Sequence, residues 1–147
     1  MENSRFKFRV WNKQDECYAY SNNSDVDLLY IETDGNLTYG VYSNDYEDMS
    51  YIPESEVIIE QCTGLKDKNG RLIYEGDIVK VPNDWEKYGF SSGTIREVFF
   101  NNGGFRLKPQ FNKNSRGNWL EDTEDFEICG NIHENKDLLK WKKIFLI

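Results

Sequence analysis

At 147 residues the chain suits one domain, or one domain with a small annex, and is long enough to bury most of the surface its unfolded form exposes. Its 18 Lys and Arg against 26 Asp and Glu leave a formal charge of -8, which opposes attraction to a polyanion unless a local basic patch exists. With 30% charged and 15% aromatic residues, global disorder is excluded, and no eighteen-residue apolar run is present to cross a membrane. The first residues lack the apolar core of a signal peptide, so a cytoplasmic protein is expected.

The first strand is signalled by Phe6, Phe8 and Val10 alternating with Arg5, Lys7 and Arg9, which predicts one buried face and one wet, basic face. Residues 12–16 form a polar turn, and residues 17–20 return as a partner strand. Apolar runs at 28–31 and 37–42 flank Thr33-Asp34-Gly35-Asn36, giving a second hairpin. Residues 45–50 read as an acidic exposed loop, and the β-branched run Val57-Ile58-Ile59 leads into residues 61–81.

Within residues 61–81, Asn69-Gly70 predicts a two-residue type I′ hairpin turn, which requires positive φ at both central positions. Glu75-Gly76-Asp77 is a second turn, launching Ile78-Val79-Lys80-Val81, which Pro82 ends. Residues 83–92 carry Trp85, Tyr88 and Phe90 in a long loop. A strand at 93–100 turns at Asn101-Asn102-Gly103-Gly104 into 105–107, residues 109–125 read as loop, and 126–132 are expected to close a barrel. Asn135 is placed to cap a short helix over 136–143. The expected architecture is mainly β: an N-terminal β meander (1–60) packed on a small SH3-like β-barrel (61–135), followed by a short C-terminal helix or apolar tail (136–147).

Chemistry-bearing constellations are few. An EF-hand reading of Asp67-Lys68-Asn69-Gly70 fails, because Leu65 and Gly76 would occupy the first and last ligand positions. Glu75 and Asp77 bracket Gly76, but a turn needs that composition anyway: Asp77 is expected to accept backbone hydrogen bonds within the turn and Glu75 to be solvated. His133 is the only histidine, which excludes a His-based metal cluster and leaves one imidazole for general base work. An enzyme using Glu75, Asp77 and His133 therefore ranks lowest among the readings, and no cofactor is expected. Cys17, Cys62 and Cys129 lack C-x-x-C spacing and read as buried small hydrophobes. Aromatic and basic residues are the remaining resource. Trp85, Tyr88, Phe90, Arg96, Arg106 and Trp119 form a candidate interaction surface of the kind on which bases stack, weighed against their ordinary role as strand and core formers. At the C-terminus, Trp141, Ile144, Phe145, Leu146 and Ile147 are candidate oligomer contacts, able to add a strand to their own sheet or to that of a second copy.

Three segments carry a family resemblance. T-G-L-K-D-K-N-G-R-L-I-Y-E-G-D-I-V over residues 63–79 resembles the signature of the YopX family, small proteins encoded by bacteriophages and prophages. RFKFRVW over 5–11 is similar to the family's opening strand, and EICGNIHENKDLL over 127–139 to its closing G-N-I-x-E-N segment, although Lys136 stands where members commonly have Pro. The resemblance implies a phage-encoded protein of the bacterial cytoplasm and implies no reaction, cofactor or catalytic residue. The leading expectation is thus a non-enzymatic accessory protein that binds a host or phage protein. The alternative is a nucleic-acid-related role, by an aromatic and basic face or as an acidic DNA mimic.

Overall fold

Strands dominate because β-branched and aromatic residues recur at period two between turn residues, and no stretch sustains a helical period. The structure is a computed structural model and describes residues 6–19, 27–31, 37–42, 49–82, 94–109 and 117–140. Among these, twelve strands form, and the longest helical segment is the four-residue 3-10 helix Lys136–Leu139. The fold is mainly β. The chain divides into two units, residues 8–61 and residues 1–7 with 62–147.

In the first unit β1 (Phe8–Asn12) turns at Asn12, whose Oδ1 accepts hydrogen bonds from the backbone N–H of Gln14 and Asp15, and returns as β2 (Cys17–Ala19). The two strands pair with Trp11 opposite Tyr18. β3 (Asp27–Ile31), β4 (Leu37–Tyr42) and β5 (Met49–Ile52) form a separate antiparallel sheet. A 3-10 turn, Glu54–Glu56, leads into β6 (Val57–Lys66), whose residues 57–61 pair with β1. Val10 and Val57 are buried, with Ala19, Ile52 and Ile59 packed against them.

The opposite face of β1 corrects the sequence reading. Arg9 does not face water as one of a wet basic row. Its Nε lies 2.6 Å from Oε2 of Glu60, a residue only 3% exposed, and its guanidinium stacks over the Tyr18 ring at 4.5 Å. The Tyr18 hydroxyl donates to the same Glu60 oxygen at 3.0 Å. A buried carboxylate on the neighbouring strand needs such partners, and alternation alone could not reveal it. Phe6, assigned to the buried face, is 58% exposed.

In the second unit the end of β6 pairs with β7 (Leu72–Tyr74). A five-stranded antiparallel sheet follows, in the order β11-β10-β9-β8-β12. Its strands are β8 (Asp77–Val81), β9 (Thr94–Asn101), β10 (Gly104–Leu107), β11 (Asn118–Trp119) and β12 (Glu127–Asn131). Val79, Val81, Val98 and Leu107 of this sheet form a core with Ile73 of β7 and with Leu120 and Phe126 outside the strands, and Leu65, Phe105 and Ile128 pack against it. Burying each such side chain stabilises by about 1.5–3 kcal/mol.

Three local expectations give way here. β11 and the 3-10 turn Thr123–Asp125 lie in a stretch that reads as loop, because a two-residue strand leaves no periodicity to detect. The described residues beyond Asn135 form the 3-10 turn Lys136–Leu139 rather than an α-helix, and Asn135 makes no side-chain cap. Its Oδ1 instead accepts from the Asn131 N–H at 3.1 Å, so it is not available to cap. At Asn69-Gly70, Asn69 is not among the residues with positive φ, whereas Gly70 has φ 78°. Asp67 N–H donates to Arg71 O, and Gly70 N–H to Asp67 O, which is the pattern of a three-residue loop closed by a left-handed glycine. The type I′ expectation is therefore wrong at this turn.

Candidate functional site

Asp67 is the polar hub of the second unit. Its side chain is fully buried, and Oδ1 accepts from the N–H of Asn69 and of Arg71, each at 2.9 Å. Oδ2 accepts from Nε and Nη2 of Arg71 at 3.1 and 2.9 Å and from the Ile128 N–H at 3.2 Å. Burial pushes the Asp67 carboxyl up. The bonds from Arg71, Ile128 and Asn69 outweigh it and hold the group below the usual carboxylate range.

The other conspicuous residues of this stretch are likewise engaged locally. Thr63 donates through Oγ1 to Ile73 O at 2.8 Å and accepts from Leu65 N–H, and Thr123 Oγ1 donates to Lys66 O at 2.6 Å. Asp77, 2% exposed, accepts from the Tyr74 N–H at 2.8 Å across its turn, as the turn reading expects, while Glu75 is half-buried rather than solvated. Asn131 pairs with Asp77, and Ile132 N–H donates to Gly76 O, so the backbone brings residues 75–77 beside residues 131–133. The Asp77 carboxylate is already bonded to the backbone, which leaves turn closure as the role that its geometry supports.

The closing segment is a second knot of this kind. Asn131 Oδ1 accepts from the N–H of His133 and Glu134, and its Nδ2 donates to Glu134 Oε2 at 2.6 Å. A Cβ at Gly130 would collide with the Asn135 side chain, so only glycine admits this packing.

The cysteines divide. Cys62 is fully buried and burial pushes its thiol up. Cys17 and Cys129 are exposed, which corrects their reading as buried hydrophobes. Cys129 stands at a β-bulge of β12, which turns its side chain out of the strand's alternation, and its Sγ donates to Ile78 O. Among the described residues no group of His, Cys, Asp and Glu has the geometry to hold a metal ion, and no helix is long and apolar enough to cross a membrane.

The aromatic and basic candidates meet only in part. Trp85, Tyr88, Phe90, Trp141, Ile144, Phe145, Leu146 and Ile147 lie outside the described residues. Arg96 is 5% exposed, with Nε donating to Lys108 O at 2.7 Å and Nη2 to Asn118 Oδ1 at 3.3 Å, so its guanidinium ties β9 to the strands beyond it. Arg106 and Trp119 are directly opposite each other in the β10–β11 ladder, and the guanidinium lies 3.6 Å from the indole centroid. Arg106 is 7% exposed and also donates to Asn101 O and Gly117 O. Both guanidiniums are buried, which withdraws these two charges from a base-stacking face. Trp119 remains 53% exposed, its ring laid over Gly104, where a Cβ would collide with it. Phe100, 50% exposed, meets Phe105 edge to face at 5.3 Å on the other side of the same hairpin.

Comparison with known proteins settles the relationship. The chain matches the family described as YopX protein over residues 7–140. It belongs to the YopX family. Among solved structures, YopX from Bacillus subtilis aligns with TM-score 0.61 at 20% identity, over 91% of this chain and 98% of that one. Protein EF1440 from Enterococcus faecalis aligns with TM-score 0.52 at 25% identity, over 90% of this chain and 96% of that one. No curated protein matches the chain. Thr63, Asp67, Arg71 and Asp77, within the matched span, are residues whose side chains organise backbone. Sequence reasoning missed Asp67 and Asn131 as hubs. The available signal was an Asp or Asn two residues before the backbone N–H that it accepts, the Asx-turn spacing.

Proposed function

We propose that this YopX protein is a phage- or prophage-encoded accessory protein that acts without catalysis in the bacterial cytoplasm, by binding a host or phage protein through the corner formed by β9, β10 and β11. The observation that carries this reading is Trp119, an exposed ring held in one orientation by Gly104 beneath it and Arg106 beside it. Rigid exposed aromatics anchor protein interfaces because they bury much area at little entropic cost. In this reading the second unit is an SH3-like barrel, and Trp85, Tyr88 and Phe90, which fall between β8 and β9 in the sequence, extend the same surface. Self-association through Trp141 and residues 144–147 is compatible with it.

A nucleic-acid role ranks second. The Arg106–Trp119 stack favours it, since single-strand binders use such platforms, while the charge of -8 and the burial of Arg96 and Arg106 oppose it. Capture from phage-carrying bacteria with wild type and with a folded Trp119→Ser variant tests the ranking. A prey held by wild type and lost from the variant supports this surface. Equal capture by both removes it, and salt-sensitive binding of DNA in a gel shift promotes the second reading.

A further inference from the structure

The two edges of the five-stranded sheet are finished differently. β11 has two residues. β12 has five, enough to template another strand. Yet its backbone groups are occupied by residues that are not in a strand. Phe126 O, just ahead of β12, accepts from Lys68 N–H at 2.8 Å. Ile128 N–H donates to Asp67 Oδ2, and Ile128 O accepts from Arg71 Nη2 at 2.7 Å. Past the bulge, Asn131 N–H donates to Asn135 Oδ1, and Asn131 O accepts from Asn135 N–H at 3.0 Å.

We propose that Asp67, Arg71 and Asn135 form an edge lock, occupying the places that a sixth strand's backbone would take and so keeping β12 from pairing with the β12 of a second copy. The occupant follows from the strand itself. Ile128 has both its N–H and its C=O directed at the lock, so antiparallel pairing about a two-fold axis at Ile128 would let each copy supply the donor and acceptor that Asp67 and Arg71 now provide. In that register Glu127 faces Cys129 of the other copy and not its own equivalent, so no like-charge pair opposes the pairing. The lock joins the turn at residues 67–71 to the closing segment at residues 126–135.

Removing side chains from the lock tests it. Arg71→Ala leaves the Asp67 turn bonded and releases Ile128 O, because the Arg71 side chain is 52% exposed and peripheral to the core. Asn135→Ala releases the Asn131 N–H from the side chain. The probe is a fluorescent peptide of residues 126–131 carrying Cys129→Ser, alongside light scattering across a range of protein concentration. Arg71→Ala, and more so the double variant, should bind the peptide about tenfold or more tighter than wild type. They should gain mass with concentration. If either variant, folded by circular dichroism, matches wild type in mass and peptide affinity, the lock does not exist. Should Arg71→Ala fail to fold, Arg71→Leu, which keeps the aliphatic stem and still releases Ile128 O, decides by the same readings.

Discussion

Two Asn-Gly pairs in the second unit make two different turns. At Asn102-Gly103 both residues have positive φ, 50° and 81°, and Asn101 pairs directly with Gly104, which is a two-residue type I′ hairpin. At Asn69-Gly70 only Gly70 does, and the loop is one residue longer. The difference lies upstream. Asp67 captures the Asn69 and Arg71 N–H groups and bends the chain before the Asn-Gly pair is reached, whereas the strand position before Asn102, Asn101, gives its backbone to the β10 ladder. A dipeptide sets what a turn permits, and a carboxylate two residues earlier sets which turn forms.

The largest effect should come from removing that carboxylate. Asp67→Ala leaves the N–H groups of Asn69, Arg71 and Ile128 without their acceptor and the Arg71 guanidinium without its carboxylate, so a loss of about 2–4 kcal/mol is expected in chemical denaturation. Asn101→Ala, in the turn that lacks such a hub, should change stability by less than about 1 kcal/mol. Titration gives a second reading of the same contrast. The Asp67 carboxyl lies below its ordinary value when folded, so its contribution is fully present above the unfolded value and is lost as pH falls through the lowered one. Wild type should therefore lose stability on acidification below the ordinary Asp range more steeply than Asp67→Ala. Parallel acid profiles would show that Asp67 is not the group responsible.

The two glycines should respond alike, which limits how far the turns differ. Gly70 and Gly103 have φ 78° and 81°, and nothing lies within 4 Å of a Cβ built on either. Substitution therefore meets no steric obstacle, only the backbone preference of the new residue. Gly70→Val and Gly103→Val should each cost about 1–3 kcal/mol, because a β-branched side chain resists left-handed backbone. A melting temperature unchanged in either variant would mean that its turn rearranges.

The same physics explains how much the sequence disclosed. The strand at Ile78-Val79-Lys80-Val81, the Asn102-Gly103 hairpin and the mainly β class were legible, since each depends on local patterning. β11 was not, being two residues held by the β10 ladder and by the ring of Trp119 over Gly104. Arg9 and Arg106 read as surface charges because nothing local announces Glu60 across the sheet or the indole of Trp119 on the next strand. Of the candidate interaction surface, Trp119 alone kept the exposure its role requires among the described residues, and the arginines proved to be ties between strands.

The smallest effect is the most discriminating, because it separates two residues of one type in one dipeptide. Asn102 occupies left-handed backbone, which Asn tolerates better than any other residue with a Cβ. Alanine there should cost about 0.5–1 kcal/mol. Asn69 sits at negative φ, and its hydrogen bond to Asp67 uses the main-chain N–H, which alanine retains. Asn69→Ala should accordingly stay within about 0.3 kcal/mol of wild type, inside the scatter of neutral surface substitutions. Denaturant midpoints measured side by side, with equal slopes, decide the matter. If Asn69→Ala costs as much as Asn102→Ala, then Asn69 also passes through left-handed backbone in solution, and the Asp67 hub does not select the turn.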